Sequence, residues 1–199
     1  PLADFMAMGL AIDLPESVVE LQAARLKAWN VGADWLRDAA RRNLARVSEA
    51  RFHEAAPGVY VSPWRDNHDA SRLVLTETVR RLAVRGRHVA FIPNRDTLII
   101  TGDGDADALA RAHQASTASL DVPRPLTGRA LVLDGDTWSP LVLPREHPMA
   151  AALELDRVRQ DLDDHASQKA LLDGIHAREG TDVFVASLTG VQRKEDGWP

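Results

Sequence analysis

The amino-acid sequence predicts one α+β domain, residues 1–199, with a largely antiparallel sheet. Three features support this prediction: pairs of β-rich segments joined by short turns, amphipathic helical segments between those pairs, and a long helical segment near the C-terminus. Short hairpins force antiparallel pairing, so we expect a mixed sheet of several hairpins with helices over one face or one end. The chain is long enough for one domain with a proper core.

The first fifty residues are predicted to form a hairpin and two helices. Two apolar segments within residues 5–21 flank Pro15 and predict the hairpin. A short helix over residues 23–29 ends before Gly32, and residues 33–47 follow as an amphipathic helix. The apolar stripe of this second helix consists of Leu36, Ala40, Leu44 and Val47.

The next segment is predicted to contain a strand pair and a helix. Residues 52–55 and 58–61 flank a Pro-Gly turn, which is typical of a strand pair. Residues 71–84 show helical spacing, and Asp69 or Ser71 is placed to act as the N-cap.

The centre of the chain predicts a hairpin followed by a helix. The β-rich runs HVAFIP and TLIIT flank Asn94-Arg95-Asp96, a sequence that suits a tight turn. The acidic residues of DGDADALARAHQAS then favour a helix N-terminus.

The last third predicts a hairpin, a long helix and a final strand. Asp134-Gly135 suits a primed turn between two apolar flanks, and the segment 121–128 is the best linker. A helix over residues 148–177 is expected to end at Gly180. We expect residues 183–188 to pair with an internal strand and residues after Gln192 to be loosely held. Trimming is expected at one or both chain ends.

Composition and charge exclude several classes of function. The net charge of −5 argues against a general binder of phosphate backbones. The arginines of residues 33–47 are the best candidate for a local basic patch, which with Trp35 could follow a nucleic-acid backbone, but a solvated helix face is the preferred interpretation. The chain has no cysteine, which excludes disulfides and thiolate chemistry and fits a cytoplasmic protein. No apolar run approaches the roughly 20 residues that span a bilayer. The four arginines within residues 33–47 are Arg37, Arg41, Arg42 and Arg46.

Two polar loops contain the candidate binding residues. The first polar loop is SPWRDNHDASR, residues 62–72, and the second polar loop is residues 93–96. In one interpretation they form a site, with an aspartate as general base and an arginine as anion clamp. In the other, which we predict for the first polar loop, they are architectural: Asp69 or Ser71 caps the following helix, and a carboxylate of one of the two loops holds Arg72. The candidate cluster comprises Trp64, Asp66, Asp69, Arg72, Asn94, Arg95 and Asp96.

No catalytic or cofactor motif is found in the sequence. The phosphate-loop, dinucleotide, nucleophile-elbow and HExxH patterns are absent. Asp161 and His165 stand at i and i+4, but two such residues without a third ligand are weak support for a metal site. We therefore predict no catalytic residue, no cofactor and no metal.

Three strings of the sequence occur in a recognisable order: PGVYVSPW followed by DASRLVL, then VRG..VAFIPNRDTLIITG, and then QKALLDGIHAREGTDVFVASL. In these strings the sequence resembles a bacterial family of unknown function, the YtpQ-like proteins. The resemblance covers residues 13–188 and implies a cytoplasmic bacterial protein whose role is open. It assigns no catalytic role to the motif residues. By position these are Ser62, Pro63, Trp64, Asp66, Asp69, Ser71, Arg72, Pro93, Asn94, Arg95 and Asp96.

The sequence therefore predicts a non-catalytic binding or regulatory module that acts through a protein partner. Exposed tryptophans such as Trp64 or Trp138 are the expected anchors, because Trp is enriched in binding hot spots. The alternative is an enzyme with a polar site where the two polar loops meet. Nucleic acid and membrane are not predicted partners, and homo-oligomerisation is left open.

Overall fold

The order of strands and helices follows the predicted α+β arrangement. The computed structural model describes residues 2–3, 5–14, 16–122, 125–195 and 198. Within them, a six-stranded and a two-stranded antiparallel sheet are combined with five α-helices. The elements are β1 (Ala11–Leu14), β2 (Ser17–Glu20), α1 (Ala23–Trp29), α2 (Ala33–Arg46), β3 (His53–Ala56), β4 (Val59–Val61), a 3₁₀ helix (Ala70–Val74), α3 (Thr76–Arg80), β5 (His88–Asn94), β6 (Thr97–Gly102), α4 (Ala106–Ala118), β7 (Leu131–Asp134), β8 (Thr137–Pro140) and α5 (Ala150–Glu179).

The large sheet has the strand order β3–β4–β6–β5–β7–β8, and its centre is the predicted hairpin around the second polar loop. Strands β5 and β6 are buried on both faces, which explains their nearly continuous apolar sequence. Phe91 and Ile99 pack under α4, whereas Ala90 and Ile100 pack with Leu73 of the 3₁₀ helix. Helices therefore flank both faces of the sheet, and the prediction of helices over one face or one end is wrong.

The N-terminal hairpin is confirmed, but its first strand starts later than predicted. Strand β1 begins at Ala11, and β1 and β2 form their own two-stranded sheet. Ala3 and Met6 instead form a short bridge, and Ala3 packs against the main core. Apolar residues of this segment gain more by joining that core than by lengthening an exposed hairpin.

The helix predicted over residues 71–84 is divided, and its predicted cap is wrong. Leu75 has non-helical backbone angles and separates the 3₁₀ helix from α3. Asp69 stands at the N-cap position but makes no capping hydrogen bond, and Ser71 lies inside the 3₁₀ helix. An N-cap needs extended backbone angles, whereas Asp69 is already helical, so its carboxylate is turned elsewhere.

The predicted final strand over residues 183–188 is also wrong. Residues 181–193 contain no strand and run back along α5. The Lys169 ammonium donates to the Val185 carbonyl at 2.9 Å, and Gly190 lies against Leu162. The segment thus packs on the helix that precedes it instead of reaching a sheet edge.

Near the C-terminal end of the chain, the structure describes two contacts of Trp198. The Arg193 amide donates to the Trp198 carbonyl at 2.8 Å, and the Arg145 guanidinium lies 5.0 Å from the centre of the half-buried Trp198 ring. The residues after Gln192, predicted to be loosely held, and the predicted linker over residues 121–128 fall partly outside the described residues.

Helices α1, α2 and α5 contribute little to the core. No residue of α1 or α2 is buried, and the one buried residue of α5 is Ala150. Helix α5 ends at Gly180, in the left-handed conformation expected of a C-cap, and is about 45 Å long. Among the described helices, none is long and apolar enough to cross a membrane.

Candidate functional site

The two polar loops lie side by side because they extend from neighbouring strands. The first polar loop follows β4, the second joins β5 to β6, and β4 pairs with β6. The Ser62 amide donates to the Leu98 carbonyl at 2.9 Å, and the Ser62 hydroxyl accepts from the Leu98 amide at 3.0 Å. The Ala70 amide donates to the Arg95 carbonyl at 3.1 Å. Backbone hydrogen bonds thus fix the two loops to one another.

A buried ion pair occupies the centre of the first polar loop. The Arg72 guanidinium donates to both carboxylate oxygens of Asp66, at 2.7 and 2.6 Å. The Arg72 side chain is 1% exposed and that of Asp66 is 36% exposed. The hydrogen bonds from Arg72, helped by the His68 amide, lower the pKa of Asp66 from its ordinary 3.8 to about 2. The prediction that a loop carboxylate holds Arg72 is confirmed.

Arg72 also connects this loop to the end of α2. Its Nε donates to the Ser48 hydroxyl at 2.8 Å, and Nη2 lies 3.4 Å from the Val47 carbonyl. The guanidinium stacks over the Trp64 ring at 4.2 Å, and Phe52 meets that ring edge-on. Since these protein groups use most of its donors, Arg72 is a brace within the fold and is poorly placed to clamp an external anion.

Asp69 is the most unusual residue of the cluster. It is 0% exposed, and its Oδ2 accepts from the Asp66 amide at 3.3 Å. Its Oδ1 is buried and has no hydrogen-bond partner among the described residues, as is also true of Trp64 Nε1. Arg65 and Asn67 adopt positive φ angles of 50° and 66° in the same loop. Unpaired buried polar atoms and strained backbone both occur preferentially at functional sites.

The residues of the second polar loop mainly stabilise the β5–β6 turn in which they lie. Asn94 Oδ1 accepts from the Asp96 amide at 3.0 Å, while its Nδ2 donates to the Ser119 carbonyl at the end of α4. Asp96 is exposed, and Arg95 Nη2 lies 3.5 Å from the Asn67 carbonyl. The structure therefore groups Trp64, Asp66, Asp69 and Arg72, whereas Asn94 and Asp96 are directed to the hairpin.

Two cavities are described, and the predicted cluster lines neither. One of about 240 Å³ lies between α5 and the segment after it, with His165, Lys169 and Asp173 in its wall. The other, of about 200 Å³, lies where the β3–β4 turn approaches the start of α4, beside Arg85 and Asp105. No residue of either polar loop lines either cavity.

The sequence offered no signal for the partners that reach the first polar loop from far along the chain. His68 Nε2 lies 3.1 Å from Asp13 Oδ2, which ties the β1–β2 hairpin to the loop. Ser48 and Val47 approach Arg72 from the end of α2. These pairs are 24 to 55 residues apart, so periodicity and spacing carry no information about them.

Other candidate residues are used structurally. Trp138 is not the exposed anchor predicted from the sequence, because it points into the core from β8 and its Nε1 donates to the Leu73 carbonyl at 2.9 Å. Asp161 accepts hydrogen bonds from Arg129 and Arg157, which occupy the carboxylate considered for a metal. The described residues contain no group of three or more side chains arranged to hold a metal ion.

Several exposed apolar side chains lie on the helices outside the core, and others lie in the β1–β2 hairpin and in the segment after α5. Trp29 and Trp35 stand on α1 and α2, and Leu171, Leu172 and Ile175 stand on the second half of α5. Trp35 is 59% exposed and Leu171 is 69% exposed. Large exposed apolar surfaces on a folded chain mark sites of interaction.

Comparison with known proteins gives no further identification. A scan against protein-family models matched none of them, and searches of the curated proteins and of the solved structures returned no significant match. The resemblance of the sequence strings to the YtpQ-like proteins therefore stays a prediction.

Proposed function

We propose that this chain is a non-catalytic binding or regulatory module that engages a protein partner through its outer helices. The observation that supports the proposal is the apolar surface of α1, α2 and α5, three helices that bury a single residue between them in the described structure. Helices held only by propensity are marginal in water, so faces of this kind are normally covered by another element or another chain.

The tryptophans of α1 and α2 replace Trp64 and Trp138 as the expected anchors. Trp29 and Trp35 are both about half exposed or more, and neither is needed to fill the core. A Trp side chain that becomes buried in an interface contributes a large apolar area with few rotatable bonds. We place the module in the bacterial cytoplasm, in keeping with the absence of cysteine and with the YtpQ-like resemblance.

Affinity capture from extracts of the source cell tests the proposal. The wild-type chain, a Trp29→Ala/Trp35→Ala double variant and a control, Arg81→Ala at the exposed end of α3, are immobilised, and the captured proteins are quantified by mass spectrometry. We expect one or a few proteins bound by the wild type and the control but lost from the double variant. No captured partner, together with a small molecule that raises the melting temperature, would count against the proposal.

A second candidate function, an enzyme at the first polar loop, is favoured by one observation. The buried Oδ1 atom of Asp69 has no partner among the described residues, and a buried unpaired acceptor costs about 1–3 kcal/mol. Asp69 is fully buried and lines neither cavity, so a substrate that donates a hydrogen bond would satisfy this atom only after the first polar loop opens. A metabolite library screened by thermal shift tests this candidate: a compound that stabilises the wild type but not Asp69→Asn supports it, and the absence of any such compound opposes it.

A further inference from the structure

Residues 21–51, which contain α1 and α2, carry a charge opposite to that of the rest of the chain. They contain seven arginine and lysine side chains against three acidic ones, a net charge of +4. The whole chain has a net charge of −5, so its other residues together carry −9. We call residues 21–51 the basic segment. A concentration of one sign of charge on a surface attracts partners of the opposite sign.

Two of the seven basic side chains lie near carboxylates. Arg37 forms an ion pair with Asp34 one turn earlier in α2. Hydrogen bonds from Arg80, helped by the charge of Arg41, hold the pKa of Asp136 below its ordinary 3.8, which places Arg41 near the β7–β8 turn. The charges of Arg37 and Arg41 are therefore partly used within the fold.

The other five basic side chains of the basic segment are free to meet a partner. All five are exposed, and none forms an ion pair with a carboxylate of the described residues: Arg25, Lys27, Arg42, Arg46 and Arg51. They outnumber the two acidic side chains of the segment that are likewise unpaired in the described structure, Asp38 and Glu49. The neighbouring β1–β2 hairpin does not neutralise them, because its Asp13 contacts His68, and Glu16 and Glu20 make no ion pair within the described residues.

Exposed tryptophans stand beside this unpaired positive charge. Trp29 is the last residue of α1 and Trp35 is the third residue of α2, and they are 48% and 59% exposed. Arg42 and Arg46 follow Trp35 by seven and eleven residues, which places both within about 20° of it around the helix. The nearest acidic residue, Asp38, lies about 60° away. This side of α2 thus presents an aromatic anchor followed by two arginines.

We propose that the partner presents an acidic segment to the basic segment, in which carboxylates flank an apolar side chain. The inference rests on the proposed function, because it names the chemistry of the protein that covers α1 and α2. The apolar side chain contacts the exposed tryptophans, while the carboxylates pair with arginines such as Arg42 and Arg46. Trp and Arg are the side chains most enriched in binding hot spots, and the guanidinium fork matches a carboxylate.

A short acidic protein segment fits this surface better than a nucleic acid does. Nucleic-acid binders neutralise many successive phosphates, and a long polyanion is repelled by the charge of −9 on the rest of the chain. A protein segment needs only a few positive charges, and its apolar side chain is matched by Trp29 and Trp35. The observations therefore favour an acidic protein.

Fluorescence anisotropy with short labelled peptides tests the proposal. The probe peptides contain one Leu, Phe or Trp within a run of glutamates, and each is compared with the peptide in which glutamine replaces every glutamate. We expect the full chain to bind at least one glutamate peptide roughly tenfold more tightly than its glutamine counterpart, and to lose affinity as the salt concentration rises. A single-stranded oligothymidylate and vesicles that contain an anionic lipid are measured in parallel.

Variants with matched net charge locate the contact. Arg42→Glu/Arg46→Glu and Trp35→Ala should each weaken binding of the glutamate peptide roughly tenfold. The control Arg81→Glu/Arg178→Glu makes the same change in net charge at exposed residues of α3's end and of α5, and should weaken binding by no more than about twofold. Circular dichroism confirms that every variant is folded.

Three results would overturn the inference: no binding of any glutamate peptide, equal affinity for the glutamate and glutamine peptides, or equal losses in the two charge-reversed double variants. Tighter binding of the oligothymidylate or the vesicles than of every peptide would also overturn it, and would assign the basic segment to a nucleic acid or a membrane surface. The capture experiment separates these failures from failure of the proposed function. A captured protein that needs Trp29 and Trp35 leaves the proposed function intact even when no acidic peptide binds.

Discussion

Replacing Arg72 by alanine should destabilise the fold strongly. The substitution removes both hydrogen bonds to Asp66, the contact with Ser48 and the stacking on Trp64. Breaking a buried ion pair by removing one partner costs about 3–5 kcal/mol, because the other charge is left uncompensated. Asp66 retains some solvent contact, which favours the lower end of this range. At about 2–4 °C per kcal/mol for a chain of this size, the melting temperature should fall by roughly 6–12 °C.

The matched comparison is His68→Ala in the same loop. His68 pairs with the largely exposed Asp13, and an exposed pair contributes about 0–1 kcal/mol. Differential scanning calorimetry of the wild type and both variants at neutral pH should therefore show a large fall in melting temperature for Arg72→Ala and a small fall for His68→Ala. Wild-type stability in both variants would refute the view that the first polar loop is a brace, and would favour the ligand-binding interpretation.

Three further predictions concern acid stability, glycine packing and the attachment of α5. A pKa lowered to about 2 means that the ion pair of Asp66 stabilises the fold fully above about pH 4, and that this stabilisation is lost as the pH falls toward 2. Urea titrations should show the wild type losing about 1–2 kcal/mol more than Asp66→Asn over that window, a range that allows for solvent screening of the partly exposed carboxylate. Parallel curves for the two proteins would contradict this. A Cβ on Gly102 would overlap the Arg85 carbonyl oxygen, whereas Gly174 in α5 has open space around it. Gly102→Ala should therefore lower the melting temperature markedly, and Gly174→Ala should raise the free energy of unfolding by about 0.5–1 kcal/mol. Equal effects of the two substitutions would refute the packing argument. His113 Nε2 of α4 lies 2.6 Å from Asp156 Oδ2 of α5, and both side chains are largely buried. His113→Ala should speed amide hydrogen exchange in the first half of α5 roughly tenfold. Unchanged exchange there would show that this pair does not attach the helix.

The sequence predicted most helices and hairpins because local patterns decide them. The amphipathic spacing of residues 33–47 and the Asp134-Gly135 turn each follow from a few neighbouring residues. The final strand failed for a reason that sequence periodicity does not contain. DVFVASL has strand-like composition, but the 30-residue α5 precedes it, and the segment packs back along that helix.

The candidate site was predicted in outline, while its organisation was not. The first polar loop was identified by its composition, and the pairing of Arg72 with a loop carboxylate was foreseen. The cap at Asp69 failed because the backbone there is already helical. The partners at Ser48 and Asp13 come from distant elements, so tertiary folding alone brings them to the loop.

Site-specific photo-crosslinking in the source cell tests most directly whether the outer helices bind a protein. A photoreactive amino acid replaces Trp35 in one variant, Leu171 in a second, and Asp96 of the second polar loop in a third as the control, since all three positions are exposed. We predict crosslinks to protein from positions 35 and 171 and none from position 96. Crosslinks from position 96 alone, or from none of the three, would contradict the account.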